Sequence, residues 1–177
     1  PSAAPAAAGA GADALPLSTD DDLVPCVVAP PCDASWSSSR DSLLVRRAHE
    51  PPRRRAAVFD MDGTLLRWVG GVRGPSKLTD YTLWSGRVAG LLRALHEDGH
   101  KLVIMSNQAG IKGAFGGKNA ARIKGVVDWL ALRCGVPLHG LFATRDNEYR
   151  KPAPGMWGAM EQAPPHASRR SRPLAFA

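Results

Sequence analysis

The most restrictive feature of this sequence is residues 59–64, which read Phe-Asp-Met-Asp-Gly-Thr and close a short apolar run at 56–59. In extended backbone, side chains two positions apart point to the same side, so the carboxylates of Asp60 and Asp62 share one face. One carboxylate can attack an electrophile while the other handles the proton of the leaving group, and a hard cation can neutralise the attacked anion. The pattern predicts a strand that ends at a site for phosphate chemistry.

The next two residues fit that interpretation, although simpler ones exist. Gly63 permits a sharp exit from the strand, and Thr64 offers a hydroxyl and a backbone donor. An Asp-x-Asp-Gly string also occurs in calcium loops and in plain polar turns. The calcium loop fails on spacing, because Leu65 stands where its glycine is required and Gly71 where its glutamate is required. The polar turn stays open on these residues alone.

Composition limits the class of protein. The chain has 177 residues and a formal charge of +7, which suits one domain of ordinary size. Its apolar runs fall short of the roughly 18 residues of a membrane span, so we expect a soluble protein. Cys26, Cys32 and Cys134 fit neither a disulfide framework nor a zinc pattern, which favours a reducing, intracellular compartment.

The composition changes near residue 50. Residues 1–55 are rich in Ala, Pro and Ser and then in Arg, without helical or alternating periodicity, and predict a disordered low-complexity leader. Its arginines suit a nuclear-import or nucleic-acid patch, or solvated linker charge. Residues 163–177, rich in Pro and Arg, predict an irregular basic tail.

Between these ends, residues 56–162 alternate strand-like and helix-like segments. Strands are predicted at 56–60, 101–105 and 138–144, and helices carry apolar stripes at 88–95, capped by Ser85, and at 123–130. This alternation is typical of an α/β domain with a parallel sheet.

Three polar clusters, at 60–64, 106–110 and 149–152, each follow a predicted strand. The carboxyl ends of parallel strands meet at one edge of the sheet, so the clusters can converge on one phosphate. Ser106 and the amides after it can bind phosphoryl oxygens, and Lys151 supplies a positive charge. Taken alone, Ser106 could be a helix cap and Lys151 a surface lysine. The placement of all three clusters after strands, in this order along the chain, favours a phosphate site.

Residues 60–64, 101–111 and 149–152 together resemble the haloacid dehalogenase (HAD) superfamily of aspartyl-phosphate phosphatases, and within it the polynucleotide kinase 3′-phosphatase family. The narrower resemblance depends on further segments, at 80–84, 135–137, 143–144 and 155–157. It spans residues 56–162 and implies a Rossmann-like three-layer α/β sandwich with a parallel sheet and no large cap.

The resemblance also implies residue roles. Asp60 would be the nucleophile that forms an aspartyl-phosphate, and Asp62 the acid and then the base; both would hold Mg²⁺. Ser106 and Lys151 would hold the phosphoryl oxygens, with further phosphate contacts from Gly63, Thr64 and Asn107. The implied reaction removes a 3′-phosphate from a DNA strand break, in the nucleus and alongside other strand-break repair proteins.

A polymer substrate is also favoured by the intervals between the motifs. Neither 65–84 nor 111–150 can hold a lid of domain size, and an uncovered site suits a polymer end. Candidate DNA contacts are the surrounding basic and aromatic residues Arg67, Trp68, Arg73, Lys77, Arg87, Lys112 and Lys118, for which plain surface charge is the simpler interpretation. Trp84, Trp129 and Trp157 are expected in the core.

One departure from the superfamily pattern concerns its fourth motif, an acidic pair after the lysine. Glu161 is the only acidic residue that follows Lys151. We therefore expect a C-terminally incomplete phosphatase domain with little or no activity. Two alternatives stay open: a small-molecule phosphatase of the sugar-bisphosphate or histidinol-phosphate type, which the sparse zinc-ligand set of Cys134 and His139 disfavours, and a non-catalytic module that binds DNA ends.

Overall fold

The computed structural model describes residues 33–39, 42–69 and 75–162. The strands are β1 Ala34–Ser39, β2 Leu43–Ala48, β3 Arg55–Phe59, β4 Leu66–Trp68, β5 Tyr81–Leu83, β6 His100–Asn107 and β7 Leu138–Ala143. The helices are α1 Arg87–Glu97, α2 Lys118–Cys134 and α3 Gly155–Glu161, with 3-10 turns at 78–80 and 109–111.

The main sheet has five strands in the order β1-β2-β7-β6-β3. Strands β3, β6 and β7 run parallel, and they are connected through α1 and α2. The apolar sides of those two helices pack on one face of the sheet, and α3 contributes Met156 to the other. The predicted α/β class, with parallel strands between helical layers, is confirmed. The carboxyl ends of all three parallel strands consequently meet at one edge.

The prediction of a disordered leader over residues 1–55 is wrong for β1 and β2. These strands form an antiparallel hairpin that continues the sheet beside β7, so the sheet is mixed. Strand β2 is buried along nearly its whole length, including Arg46, whose Nε donates to Asp128 Oδ1 at 2.8 Å. A strand covered on both faces shows no alternation, and its two arginines concealed it further. Residues 1–32, 40–41 and 163–177 lie outside the described residues.

The helices lie where the apolar stripes predict them. In α2, Ile123, Val126, Val127 and Leu130 are all buried. Helix α1 begins after Gly86 without a side-chain cap, so the predicted cap at Ser85 is wrong. Leu91 is exposed, because only one side of α1 faces the sheet.

Two of the tryptophans expected in the core are on the surface. Trp84 and Trp157 are 52% and 47% exposed, whereas Trp129 packs against the core as expected. Trp157 donates through Nε1 to Glu161 one helical turn later. Cys134 is a buried free thiol, while Cys26 and Cys32 fall outside the described residues. The helices in the described part of the chain include none that is long and apolar enough to cross a membrane.

Candidate active site

The chain turns sharply where β3 ends, and this turn presents both aspartates. Met61 is buried in the core, so Asp60 and Asp62 on either side of it are directed away from the core, as the alternation predicts. The carbonyl of Met61 accepts the N–H groups of Leu65 and Leu66 at 3.1 and 3.0 Å. Gly63 has φ +78°, a conformation that side chains disfavour, which explains the glycine in the motif.

Lys151 reaches the first aspartate directly. Its Nζ donates to Asp60 Oδ1 at 2.6 Å and to the carbonyl of Met105, near the end of β6, at 2.8 Å. The side chains of Lys151 and Asp60 are 36% and 40% exposed. The predicted nucleophile and the predicted phosphate-binding cation therefore lie side by side, accessible to a ligand.

The loop that carries Lys151 is tied to the end of β6. The side chain of Asn107 accepts the N–H of Lys151 at 2.9 Å and donates to its carbonyl at 3.1 Å. The loop also closes on itself, because the N–H of Gly155 donates to the carbonyl of Glu148 at 2.9 Å, and a Cβ at Gly155 would collide with that carbonyl. Asn107 is thus engaged in positioning the loop, and its predicted phosphate contact stays a prediction.

Gln108 links the remaining two predicted residues. Its Nε2 lies 2.7 Å from Asp62 Oδ2 and 3.0 Å from the hydroxyl of Ser106, and its backbone N–H donates to the carbonyl of Ala143 on β7. Ser106 itself is buried. The structure thus brings Asp60, Asp62, Ser106 and Lys151 together. Gln108 links Asp62 to Ser106, a role for which the sequence offers only the position of this residue just after β6.

The electrostatics of the site favour the protonated form of the second aspartate. Desolvation by the surrounding protein raises the pKa of Asp62, although part of its surface reaches solvent. The hydrogen bond from Gln108 lowers this pKa, and the negative charge of Asp60 raises it. Positive charge from Arg122 and Lys151 opposes the shift but does not cancel it. A carboxyl group with a raised pKa can act as a general acid.

The predicted nucleic-acid contacts are solvent-exposed where the structure describes them. Arg67 and Trp68 lie on β4, in a two-stranded hairpin with β5 that follows the aspartates. Lys112 is exposed at the end of the 3-10 turn after Gln108. The exposed set is completed by Lys77, Arg87 and Lys118. Arg73 falls outside the described residues, and a role in DNA binding stays a prediction for all of them.

The donors available to a magnesium ion at this site are the carboxylates of Asp60 and Asp62. In the part of the chain that the structure describes, no three His, Cys, Asp or Glu side chains cluster as a metal site. Magnesium needs fewer protein ligands than this, since it commonly binds one or two carboxylates, substrate phosphate and water. The two aspartates therefore fit that ion with phosphate bound.

Comparison with known proteins places this geometry in a family. Over 129 residues the chain is 30% identical to the bifunctional polynucleotide phosphatase/kinase of Schizosaccharomyces pombe, covering 72% of this chain and 31% of that protein. Over 121 residues it is 30% identical to the polynucleotide 3′-phosphatase ZDP of Arabidopsis thaliana, covering 61% of this chain and 17% of that protein. The chain thus spans less than a third of the length of either relative.

A solved structure supports the fold. It comes from Mesorhizobium loti, is described as a HAD-like phosphatase, and superposes with a TM-score of 0.56 at 24% identity. The superposition covers 71% of this chain and 66% of that one, and it confirms the predicted HAD-like architecture. The family profile for the polynucleotide kinase 3 phosphatase matches residues 55–171, close to the predicted extent of 56–162. The chain is a member of the polynucleotide kinase 3 phosphatase family, and its fold is that of a HAD-like phosphatase.

Proposed function

We propose that this chain acts on DNA strand-break ends as a polynucleotide 3′-phosphatase. The observation that carries the proposal is the contact between Lys151 Nζ and Asp60 Oδ1 at 2.6 Å, next to Asp62 and Ser106. A carboxylate nucleophile beside a fixed ammonium group suits attack on a phosphate monoester. The 3′-phosphatase relative and the family profile favour a polynucleotide end as the substrate.

In the first chemical step, a carboxylate oxygen of Asp60 attacks phosphorus and the bond from phosphorus to the 3′-oxygen breaks. Asp62, protonated, gives its proton to the departing sugar oxygen, which leaves as a hydroxyl. The raised pKa of Asp62 increases the fraction of enzyme that is ready for this step. Lys151 and Ser106 balance the negative charge on the phosphoryl oxygens.

In the second step, Asp62 is ionised and accepts a proton from water. The water oxygen attacks the phosphorus of the aspartyl-phosphate, and the carboxylate of Asp60 leaves with its bonding electrons. Inorganic phosphate departs, and both aspartates return to their starting states. One residue serves as acid and then as base, so the site needs only two carboxylates for the full cycle.

Asp60 and Asp62 would hold Mg²⁺, which when bound supplies positive charge that lowers repulsion between the nucleophile and the phosphate. Arg67, Trp68, Lys112 and the other exposed basic residues would contact the DNA strand through phosphates and base stacking. We place the activity in the nucleus with other strand-break repair proteins, by analogy with the family's substrates.

The experiment that tests this function compares phosphate release from three substrates under single-turnover conditions, with the chain in excess and Mg²⁺ present. The substrates are a 3′-phosphorylated oligonucleotide, its 5′-phosphorylated isomer and a sugar bisphosphate. We expect release from the first alone. Release from the sugar bisphosphate alone would indicate a small-molecule phosphatase.

A binding measurement complements the turnover assay. The Asp60→Asn variant should bind a 3′-phosphorylated oligonucleotide more tightly than its 3′-hydroxyl counterpart, since the site recognises the terminal phosphate. Binding that falls steeply with salt but does not distinguish the two ends, together with no turnover, would contradict the proposal and indicate a non-catalytic DNA-end-binding module.

A further inference from the structure

Arg122 is a charged residue of the active-site region to which the mechanism above gives no role. It lies in the first half of α2, which packs against the 3-10 turns at 78–80 and 109–111. Its guanidinium interacts with the side chain of Tyr81, a buried residue at the start of β5, and its charge acts on Asp62. Arg122 therefore stands beside the aspartate assigned to the leaving group.

The polar atoms of Arg122 are incompletely paired. Its Nε is buried and has no hydrogen-bond partner within residues 33–39, 42–69 and 75–162. Unlike Arg46, Arg53 and Arg55, it has no carboxylate within ion-pairing distance among the described residues. A partly buried guanidinium with an unpaired N–H is costly, and a bound anion is one of the ways in which such a group is completed. Guanidinium is also the side-chain group best matched to phosphate.

The position of Arg122 relative to Asp62 indicates which anion it binds. In the proposed mechanism, Asp62 faces the departing sugar oxygen, whereas Lys151 faces the transferred phosphoryl group. An anion beside Asp62 and Arg122 therefore belongs to the leaving group. In a polynucleotide, the nearest such anion is the phosphodiester that joins the terminal nucleotide to the one before it.

We propose that Arg122 binds this penultimate phosphate and so selects 3′-phosphates that carry a second phosphate on the 5′ side of the same sugar. The inference rests on the proposed function, because it uses the leaving-group role of Asp62. It adds a specificity-determining residue on α2 to a site otherwise built from the ends of strands. Arg122 takes no part in the proton transfers.

The test uses two nucleotides that differ by the second phosphate: thymidine 3′,5′-bisphosphate and thymidine 3′-monophosphate. Their affinities are measured by calorimetry on the full chain carrying Asp60→Asn, which prevents turnover. We expect the bisphosphate to bind about tenfold more tightly, the effect of one charge-assisted contact. Adding Arg122→Gln should reduce the ratio to below about twofold while leaving the monophosphate affinity nearly unchanged.

Arg133→Gln is the matched control, because it removes the same charge from an exposed position at the far end of α2. The ratio should survive this change. If Arg122→Gln does not fold, Arg122→Lys replaces it, with an expected ratio of about three because an ammonium lacks the planar fork. An unchanged ratio in the Arg122 variant, an equal loss in Arg133→Gln, or no preference in the parent would overturn the inference.

These outcomes are separable from the fate of the proposed function. The affinity ratio can hold in a chain that releases no phosphate from oligonucleotides, in which case the polynucleotide assignment fails and the anion subsite stands. Conversely, oligonucleotide phosphatase activity with an unchanged ratio in Arg122→Gln would retain the function and remove the subsite.

Discussion

The two ends of the parallel sheet both carry charged clusters, and they differ in how completely the charges are paired. At the amino end, Glu50 accepts hydrogen bonds from His139 Nε2 and Arg53 Nε, each at 2.9 Å, and its side chain is only 5% exposed. Arg53 also donates to the carbonyl of His96. We call Glu50, Arg53, His96 and His139 the glutamate cluster. At the carboxyl end, the pair of Asp60 and Lys151 remains more than a third exposed.

The difference separates charge that stabilises the fold from charge that awaits a ligand. In the glutamate cluster the carboxylate is enclosed by its partners, so little solvent-accessible charge remains. In the candidate active site, the pKa of Asp62 is raised, and Nε of Arg122 is buried without a hydrogen-bond partner among the described residues. Burying a charge is tolerable only when it is paired. The glutamate cluster also keeps one unpaired atom, because Nδ1 of His96 is buried without a hydrogen-bond partner among the described residues, but its carboxylate is paired on both oxygens. The exposed pair of Asp60 and Lys151 is the one that the proposed substrate could reach.

The sharpest test of this contrast is Asp60→Asn. The amide cannot serve as the nucleophile, so the single-turnover rate on a 3′-phosphorylated oligonucleotide should fall at least about 10³-fold. The urea midpoint should change little, because the Asp60–Lys151 pair is solvent-accessible. Glu50→Gln is the control and should keep its rate within about twofold. A variant at position 60 that retains turnover would refute the covalent mechanism.

The reciprocal test is the stability of Glu50→Gln. Removing the buried carboxylate leaves His139 and Arg53 without their anion, so the free energy of unfolding should fall by about 2–4 kcal/mol. Urea denaturation measures this change. Asp146→Asn is the matched control, because Asp146 pairs with Arg150 at a site where its side chain is 93% exposed, and should cost less than about 0.5 kcal/mol. Equal losses in both variants would remove the distinction between the two clusters.

A smaller effect is expected for Gln108→Ala in the active site. The variant loses the hydrogen bonds to Asp62 and Ser106, and the rate should fall about fivefold, which corresponds to about 1 kcal/mol. Because the Gln108 bond lowers the pKa of Asp62, its loss raises that pKa further. The limb of the pH–rate profile that reports loss of protonated Asp62 should therefore move to higher pH. A limb that moves to lower pH would contradict this role.

The smallest expected effect is the acid sensitivity of the glutamate cluster. Burial alone would raise the pKa of Glu50, but the hydrogen bond from His139 and the charges of His139 and Arg53 hold it below its ordinary value of 4.5. The resulting stabilisation is complete above that value and is lost as pH falls through the lower, folded-state pKa. Urea midpoints measured across this range should fall with pH in the parent and less steeply in Glu50→Gln. Parallel curves would exclude Glu50 as a source of acid sensitivity.

The sequence predicts the parts of this structure that depend on residue type and chain order. Asp60, Ser106 and Lys151 each follow an apolar strand, and parallel topology alone brings such residues together. What it does not predict are the interactions between distant side chains. The buried Arg46 of β2 depends on Asp128, which lies 82 residues away, and without that partner its strand looks like a polar leader. The contacts of Gln108 and Arg122 could not be predicted for the same reason. The role of an amide or a guanidinium side chain depends on which groups lie beside it in the folded chain.

The ammonium group of Lys151 has a consequence for how the attack is aligned. It carries three donor hydrogens, of which one is directed to Asp60 and one to the carbonyl of Met105. The third can bind an incoming phosphoryl oxygen without releasing the other two. Lys151 could then hold the proposed nucleophile and the phosphoryl group at the same time, with β6 as the fixed support. The direction of approach is set before the substrate arrives, and a longer side chain such as arginine would lose this alignment even though it keeps the charge.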